Sequence, residues 1–167
     1  GGFIGVEVAE QLAQLGKTVH VVEALDHIMS GPFDVEFTDK LKEALEETGT
    51  HVHTSERAER FIVEDGKVVS VKTDKQTLKA DAVIMSVGFR PNTHFVKDQL
   101  EMLGNGAIVI DKYGQTSRKD VFAAGDCATI PHRLSGNKYI PLATYANKMG
   151  RLIGSNIVLE EKDWLGF

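Results

Sequence analysis

A glycine-rich run and two carboxylates are the residues here whose spacing suggests chemistry. Gly1-Gly2-Phe3-Ile4-Gly5-Val6-Glu7 has the spacing of the end of a G-x-G-x-x-G run. Gly2 and Gly5 are its second and third glycines, and the first glycine with its strand is expected before Gly1. Such a run turns a strand into a helix, and glycine lets the backbone approach a pyrophosphate closely. The helix start then offers free N–H groups and a positive dipole end to the phosphates. Gly2 supplies the close approach and Gly5 the close packing of helix on strand. Glu23 follows Gly2 by roughly 20 positions and closes the next strand. A carboxylate there accepts hydrogen bonds from both ribose hydroxyls and repels a 2′-phosphate. No arginine occurs in Ala24-Leu25-Asp26-His27, so the pattern predicts NADH over NADPH. The plainer alternative, a glycine turn that binds no nucleotide, is disfavoured by the Glu23 spacing and the elements that follow.

The second signature is Val121-Phe122-Ala123-Ala124-Gly125-Asp126. It places Asp126 at the exposed end of a buried strand, where a carboxylate can bind a polyol hydroxyl. Pro141-Leu142-Ala143-Thr144-Tyr145-Ala146-Asn147 then opens a long helix. Two different signatures in this order point to a protein that handles two nucleotide cofactors.

The elements that must position these groups follow from periodicity. Residues 3–15 read as a helix with Ile4, Val8, Leu12 and Leu15 on one face and Gly16 at its end. Residues 17–23 read as a buried strand and 24–33 as a loop. Asp34 is expected to cap a helix to residue 48, with Phe37, Leu41, Ala44 and Leu45 inward. Residues 50–54 read as a short strand. Three short strands follow at 60–64, 67–73 and 76–79, joined by an Asp65-Gly66 hairpin turn, as an antiparallel meander in place of a crossover helix. A buried strand is expected at 81–87, a short helix at 94–103, strands at 108–111 and 121–124, and a helix over 142–159. The fold class is therefore α/β, with a Rossmann-like run of helices and parallel strands and a three-stranded antiparallel meander in place of a crossover helix. A boundary between two domains is expected near Pro91.

Composition bounds the partners. The 167 residues are 42% hydrophobic and 26% charged, with a net charge of −5, which argues against nucleic acid. Cys127 is the one cysteine, so no internal disulfide forms and a cytoplasmic, reducing setting is expected. No apolar run approaches the ~18 residues of a membrane span. The absence of an initiating Met agrees with a piece of a longer polypeptide.

The chain resembles the pyridine nucleotide–disulfide oxidoreductases, flavoproteins with two dinucleotide-binding domains. The wording of Gly125-Asp126-Cys127-Ala128 and of residues 140–151 is most similar to the NADH oxidase, NADH peroxidase and coenzyme A–disulfide reductase branch. The resemblance implies that Gly2, Gly5 and Glu23 hold NADH and that Phe3 matches an aromatic gating the nicotinamide pocket. It makes Glu7 a helix carboxylate near the nicotinamide and Gly88 a glycine near the dinucleotide. It implies that Gly125 and Asp126 bind FAD, the aspartate through the ribitol, and that Leu142, Ala143 and Thr144 face the flavin pyrimidine edge. Reduced flavin carries negative charge there, which a helix N-terminus stabilises by about 0.3–2 kcal/mol. It further implies that residues 1–90 are a Rossmann-like NAD(P)-binding domain that binds NADH and that residues 91–167 are the returning, C-terminal portion of an FAD-binding domain, with an FAD segment and a redox cysteine before Gly1, a dimerisation domain after Phe167, and a homodimeric parent. The chain as given is expected to bind FAD weakly or not at all and to be inactive alone. The implied reaction passes a hydride from NADH to flavin and on to oxygen, peroxide or a small disulfide. Two alternatives stay open: a reductase of a small electron-carrier protein, and a non-catalytic NADH-binding or redox-sensing module.

Other residues read more plainly. Cys127 sits where matching proteins carry a small, non-catalytic residue. His51 and His53 share one strand face without an evident third ligand, so no metal site is expected. Glu43, Glu46 and Glu47 read as a solvated face, and Arg90-Pro91-Asn92 as a break between domains with a possible hinge. His132 and Arg133 lie in the loop after the 121–124 strand, and spacing alone does not show that they reach a substrate.

Overall fold

The computed structural model describes residues 1–159. The chain divides into two compact units, residues 1–88 and the residues from Phe89 onward.

In the first unit, helix α1 (Phe3–Gln14) leads to strand β1 (His20–Val22), helix α2 (Val35–Glu47) and strand β2 (His51–His53). β1 and β2 pair in parallel, with His20 opposite His51, Val21 opposite Val52 and Val22 opposite His53. One face of this pair carries the core: Ala9, Val21, Ile28 and Leu45 are buried, with Val6, Val19, Leu41 and Val52 against them. The inward stripe of α1 is thus Val6 and Ala9, while Ile4 and Leu15 are exposed. Small Ala9 lets the helix lie close to β1, which rotates the larger residues outward. α2 buries Thr38 and Leu45 and exposes Phe37 and Ala44. Its inward face is rotated because the Thr38 hydroxyl satisfies itself on Val35 O at 3.0 Å and so tolerates burial. Asp34 stands at the N-cap without a side-chain bond; its carbonyl takes Phe37 N–H and Thr38 N–H instead.

The meander forms as expected: β3 (Ala58–Glu64), β4 (Lys67–Thr73) and β5 (Thr77–Lys79) make an antiparallel sheet in that order. Asp65 (φ 49°) and Gly66 (φ 75°) form the turn between the first two, both left-handed as a two-residue hairpin of this hand requires. Residues 81–87 do not form the expected buried strand: Ile84, Met85 and Val87 are exposed. An apolar run becomes a strand only where a neighbour takes its ladder bonds, and neither β1 nor β2 pairs with it.

The second unit packs around Ile108, Ile110, Ala128, Ile130, Met149 and Ile153. Helix α3 (Ala143–Val158) supplies the last two of these, Met149 and Ile153, and a hairpin of β6 (Ile130–His132) and β7 (Gly136–Lys138) forms where the sequence pattern suggested a loop. Pro131 hid it, since proline fits a strand only at an edge or end, as in this two-stranded ribbon. The expected helix at 94–103 is a single 3-10 turn, His94–Val96. The expected strands at 108–111 and 121–124 are extended segments joined by isolated bridges, Met102 to Ile108, Ile108 to Ala128 and Gln115 to Phe122. Turns at Gly106 and Gly114 interrupt these ladders before they lengthen. The apolar alternation still buries Ile108 and Ile110.

Candidate functional site: two helix starts, each beside a carboxylate

Gly2 is the N-cap of α1, and no side chain caps the helix. The first helical bond is Val6 N–H to Gly2 O at 3.0 Å, which leaves the preceding N–H groups for solvent or a ligand. A Cβ added at Gly2 would meet nothing within 4 Å, so the space before the turn is open. Glu23 follows the last residue of β1 and points its carboxylate at this turn. Its Oε2 lies 3.0 Å from Gly1 N, and its Oε1 accepts Leu25 N–H at 2.9 Å. Burial acts to raise this carboxyl; the N–H groups of Leu25, Gly1 and Ala24 act against it, and it lies below the ordinary glutamate value. The acid is therefore ionised and presented beside the helix start, as ribose recognition requires.

The loop after Glu23 folds back on the same turn. Met29 N–H donates to Gly1 O at 2.8 Å, with Ile28 and Met29 buried beneath. The Phe3 ring is exposed and meets Phe33 edge-on, 6.1 Å between centroids. Glu7 is exposed one turn further along α1. Ser86 Oγ lies 2.7 Å from the point a Cβ on Gly5 would occupy, so the segment leading to Gly88 runs past the helix start. The structure thus gathers Gly2, Phe3, Gly5, Glu23 and Ser86 at one end of the unit. Phe33 carried no signal in the sequence beyond being an aromatic at a loop end.

In the second unit Asp126 is exposed and sits in a 3-10 turn, Gly125–Cys127, rather than at a strand end. The Ala124 to Ala128 backbone leaves the extended path here, and Cys127 Sγ bonds back to Ala124 O at 3.2 Å. A Cβ on Gly125 would lie 3.6 Å from that of Ala146, so the turn rests on the first turns of α3. Leu142 is the N-cap of α3, again with no side-chain cap, and Ala143 and Thr144 open the helix. Tyr139 Oη donates to Asp126 O at 3.1 Å. Its own ionisation is pushed up by burial first and by the charges of Asp126 and Cys127. His132 is tied to Ser135, whose hydroxyl lies 2.9 Å from Nδ1.

His51 and His53 do share a face, and the parallel register adds His20. The His20 ring stacks on His51 at 4.7 Å and on His53 at 5.3 Å, and its Nδ1 lies 3.0 Å from His53 Nε2. No grouping of metal-ligand geometry occurs among the described residues. Only strand register, which periodicity does not reveal, brings His20 there. Burial, then the neighbouring His51 and His53, lowers the His20 pKa below its usual 6.5. The unfolded chain therefore binds a proton there first, and stability is lost as pH falls below about 6.5. Melting temperatures read across this range should fall on acidification. The slope should flatten in His20→Gln; an unchanged slope would place the proton uptake elsewhere.

No helix among the described residues is long and apolar enough to cross a membrane. The family model for pyridine nucleotide-disulphide oxidoreductase matches residues 1–150. An NADH oxidase of Enterococcus faecalis is 44% identical over 99% of this chain, which spans 38% of that protein. An FAD-dependent pyridine nucleotide-disulphide oxidoreductase from Desulfovibrio vulgaris superposes with a TM-score of 0.89 at 42% identity, over 99% of this chain and 42% of that one. The water-forming NADH oxidase of Lactobacillus brevis, bound to NADH, gives 0.89 at 37% identity over 96% and 36% of the two chains. Its engineered NADPH oxidase variant, bound to NADPH, gives 0.88 at 37% identity over 94% and 35%.

Proposed function

Because the chain belongs to the pyridine nucleotide-disulphide oxidoreductase family, we propose that it is part of an FAD-dependent oxidoreductase that takes a hydride from NADH. One observation carries this reading most: the Glu23 carboxylate lies beside the uncapped glycine start of α1. The chain spans well under half the length of the relatives it matches. The activity belongs to that longer assembly.

Residues 1–90 hold NADH in this account, and residues 91–167 supply the C-terminal part of the FAD-binding domain. Gly2 and Gly5 admit the pyrophosphate to the α1 N–H groups, and Glu23 accepts the ribose hydroxyls. Phe3 covers the nicotinamide and excludes water, with Glu7 and Gly88 near the same ring. Gly125 and Asp126 engage the flavin's polyol, and the α3 start at Leu142, Ala143 and Thr144 stabilises charge on its pyrimidine edge. When bound, nicotinamide and flavin supply the hydride donor and acceptor; the protein's share is orientation and electrostatics. The electrons end on oxygen, peroxide or a small disulfide. A cytoplasmic homodimer is the form this reading gives the longer protein.

The engineered relative found with NADPH supports the role of Glu23. It differs from its parent at five positions, among them a glycine and an aspartate–alanine pair. Their separation equals that of Gly5 and Glu23-Ala24 in this chain. Equilibrium titration of the purified protein with NADH and with NADPH tests the assignment. Tighter binding of NADH is expected; equal or tighter binding of NADPH would overturn it.

A further inference from the structure

Glu56 is only 3% exposed, yet nothing in the chemistry above uses it. Its carboxylate accepts the Thr73 hydroxyl at 2.6 Å and the Gln76 amide at 3.0 and 3.1 Å on its two oxygens. His53 Nδ1 lies 3.7 Å away. Thr73 ends β4 and Gln76 precedes β5, so the carboxylate holds the tip of the meander. Two reciprocal bonds strengthen the same junction, Arg57 N–H to the Asp74 side-chain Oδ1 at 2.9 Å and Asp74 N–H to Arg57 O at 3.0 Å. Lys75 Nζ also reaches Thr54 O at 3.4 Å.

The other side of this junction is the cofactor carboxylate. Glu56 N–H donates to Glu23 O at 2.9 Å, and Ser55 N–H donates to Leu25 O at 2.7 Å. Leu25 N–H is the donor that orients the Glu23 carboxylate. Ser55 sits at φ 50°, a conformation a non-glycine residue keeps only where its surroundings hold it. The chain of contacts is continuous: meander tip, Glu56 carboxylate, backbone of 55–56, backbone of 23–25, Glu23 carboxylate. A buried carboxylate left unpaired is costly, so this one keeps its donors and with them the geometry of the junction.

We propose that Glu56 is a positioning residue for dinucleotide choice: it clamps the meander tip to the end of β1 and thereby aims the Glu23 carboxylate. This rests on the reading of Glu23 as the ribose ligand. The signal was absent from the sequence, where Glu56 falls in the connection between the strands read at 50–54 and 60–64.

The test uses the purified full-length protein, with its flavin, and NADH and NADPH as probes. Glu56→Ala should raise the Kd and KM for NADH about tenfold, with kcat changed less than about threefold and the preference over NADPH narrowed. Glu56→Gln faces its amide to that of Gln76 and should show part of the loss. The double change Glu56→Gln with Gln76→Glu restores donor facing acceptor and should regain the NADH preference. If Glu56→Ala does not fold, Glu56→Gln and the double variant decide. A lowered melting temperature with an unchanged NADH-to-NADPH ratio in the folded variants would overturn the proposal, because it leaves Glu56 a purely structural clamp. Glu23→Ala in parallel separates the two claims: if it alters the ratio and the Glu56 variants do not, only this proposal fails. If Glu23→Ala has no effect, the reading beneath it fails as well.

Discussion

Glu23→Ala is expected to weaken NADH binding by about 10- to 100-fold and to bring the affinities for NADH and NADPH close together. The magnitude follows from hydrogen bonds to a charged acceptor, worth about 1.5–3 kcal/mol each when buried and about half lost to solvent competition at a half-open site. The sign for NADPH is opposite in origin. The carboxylate lies below the ordinary glutamate value, with Leu25 N–H donating to it, and it repels a phosphate placed at the ribose 2′ position. Removing it abolishes both effects, so the ratio moves more than either affinity. Binding isotherms for the two nucleotides on wild type and variant give the ratio directly. An unchanged ratio would remove Glu23 from the cofactor site.

The second large effect concerns the element that supports the other carboxylate. Gly114 has φ 84°, and a Cβ there would run into Cγ1 and Cδ1 of Ile153 on α3. Ile153 belongs to the buried cluster of the second unit and is only 6% exposed. Gly114→Ala therefore combines a left-handed alanine, about 1–2 kcal/mol, with overpacking of about 1–3 kcal/mol. A loss of about 2–5 kcal/mol is expected, seen as a lower urea midpoint. Since α3 carries Ala146 against the Gly125 turn, retention of FAD by the whole protein should fall with it. The double variant with Ile153→Ala opens the space and should lose less than the sum of the two single changes. Additive losses would mean that the glycine is needed for its backbone conformation alone.

How much of this was legible before the structure differed by element. The three long helices, the meander and the glycine turn with Glu23 were readable because their signals are local: a 3.6-residue period, an Asp-Gly turn, a spacing. The apolar run 81–87 and the segments 108–111 and 121–124 were read as strands, and each failed for a non-local reason. A ladder needs a neighbour, which composition does not supply. Helix faces slipped similarly: Ala9 rather than Ile4 contacts β1, and Thr38 rather than Phe37 turns inward. Asp126 was found by its motif, although its backbone turned out to be a 3-10 turn. His20 and Glu56 were missed because register and a distant turn, not neighbours in sequence, give them their surroundings.

NADH should pass its hydride to a flavin held by the longer protein of which this chain spans a part. Anaerobic mixing of that full-length, FAD-loaded protein with NADH, and with NADH deuterated at the transferring C4 position, tests this most directly. The flavin absorbance should bleach with a rate that saturates in NADH and slows with deuterium. A flavin that stays oxidised in the presence of saturating NADH would contradict the account.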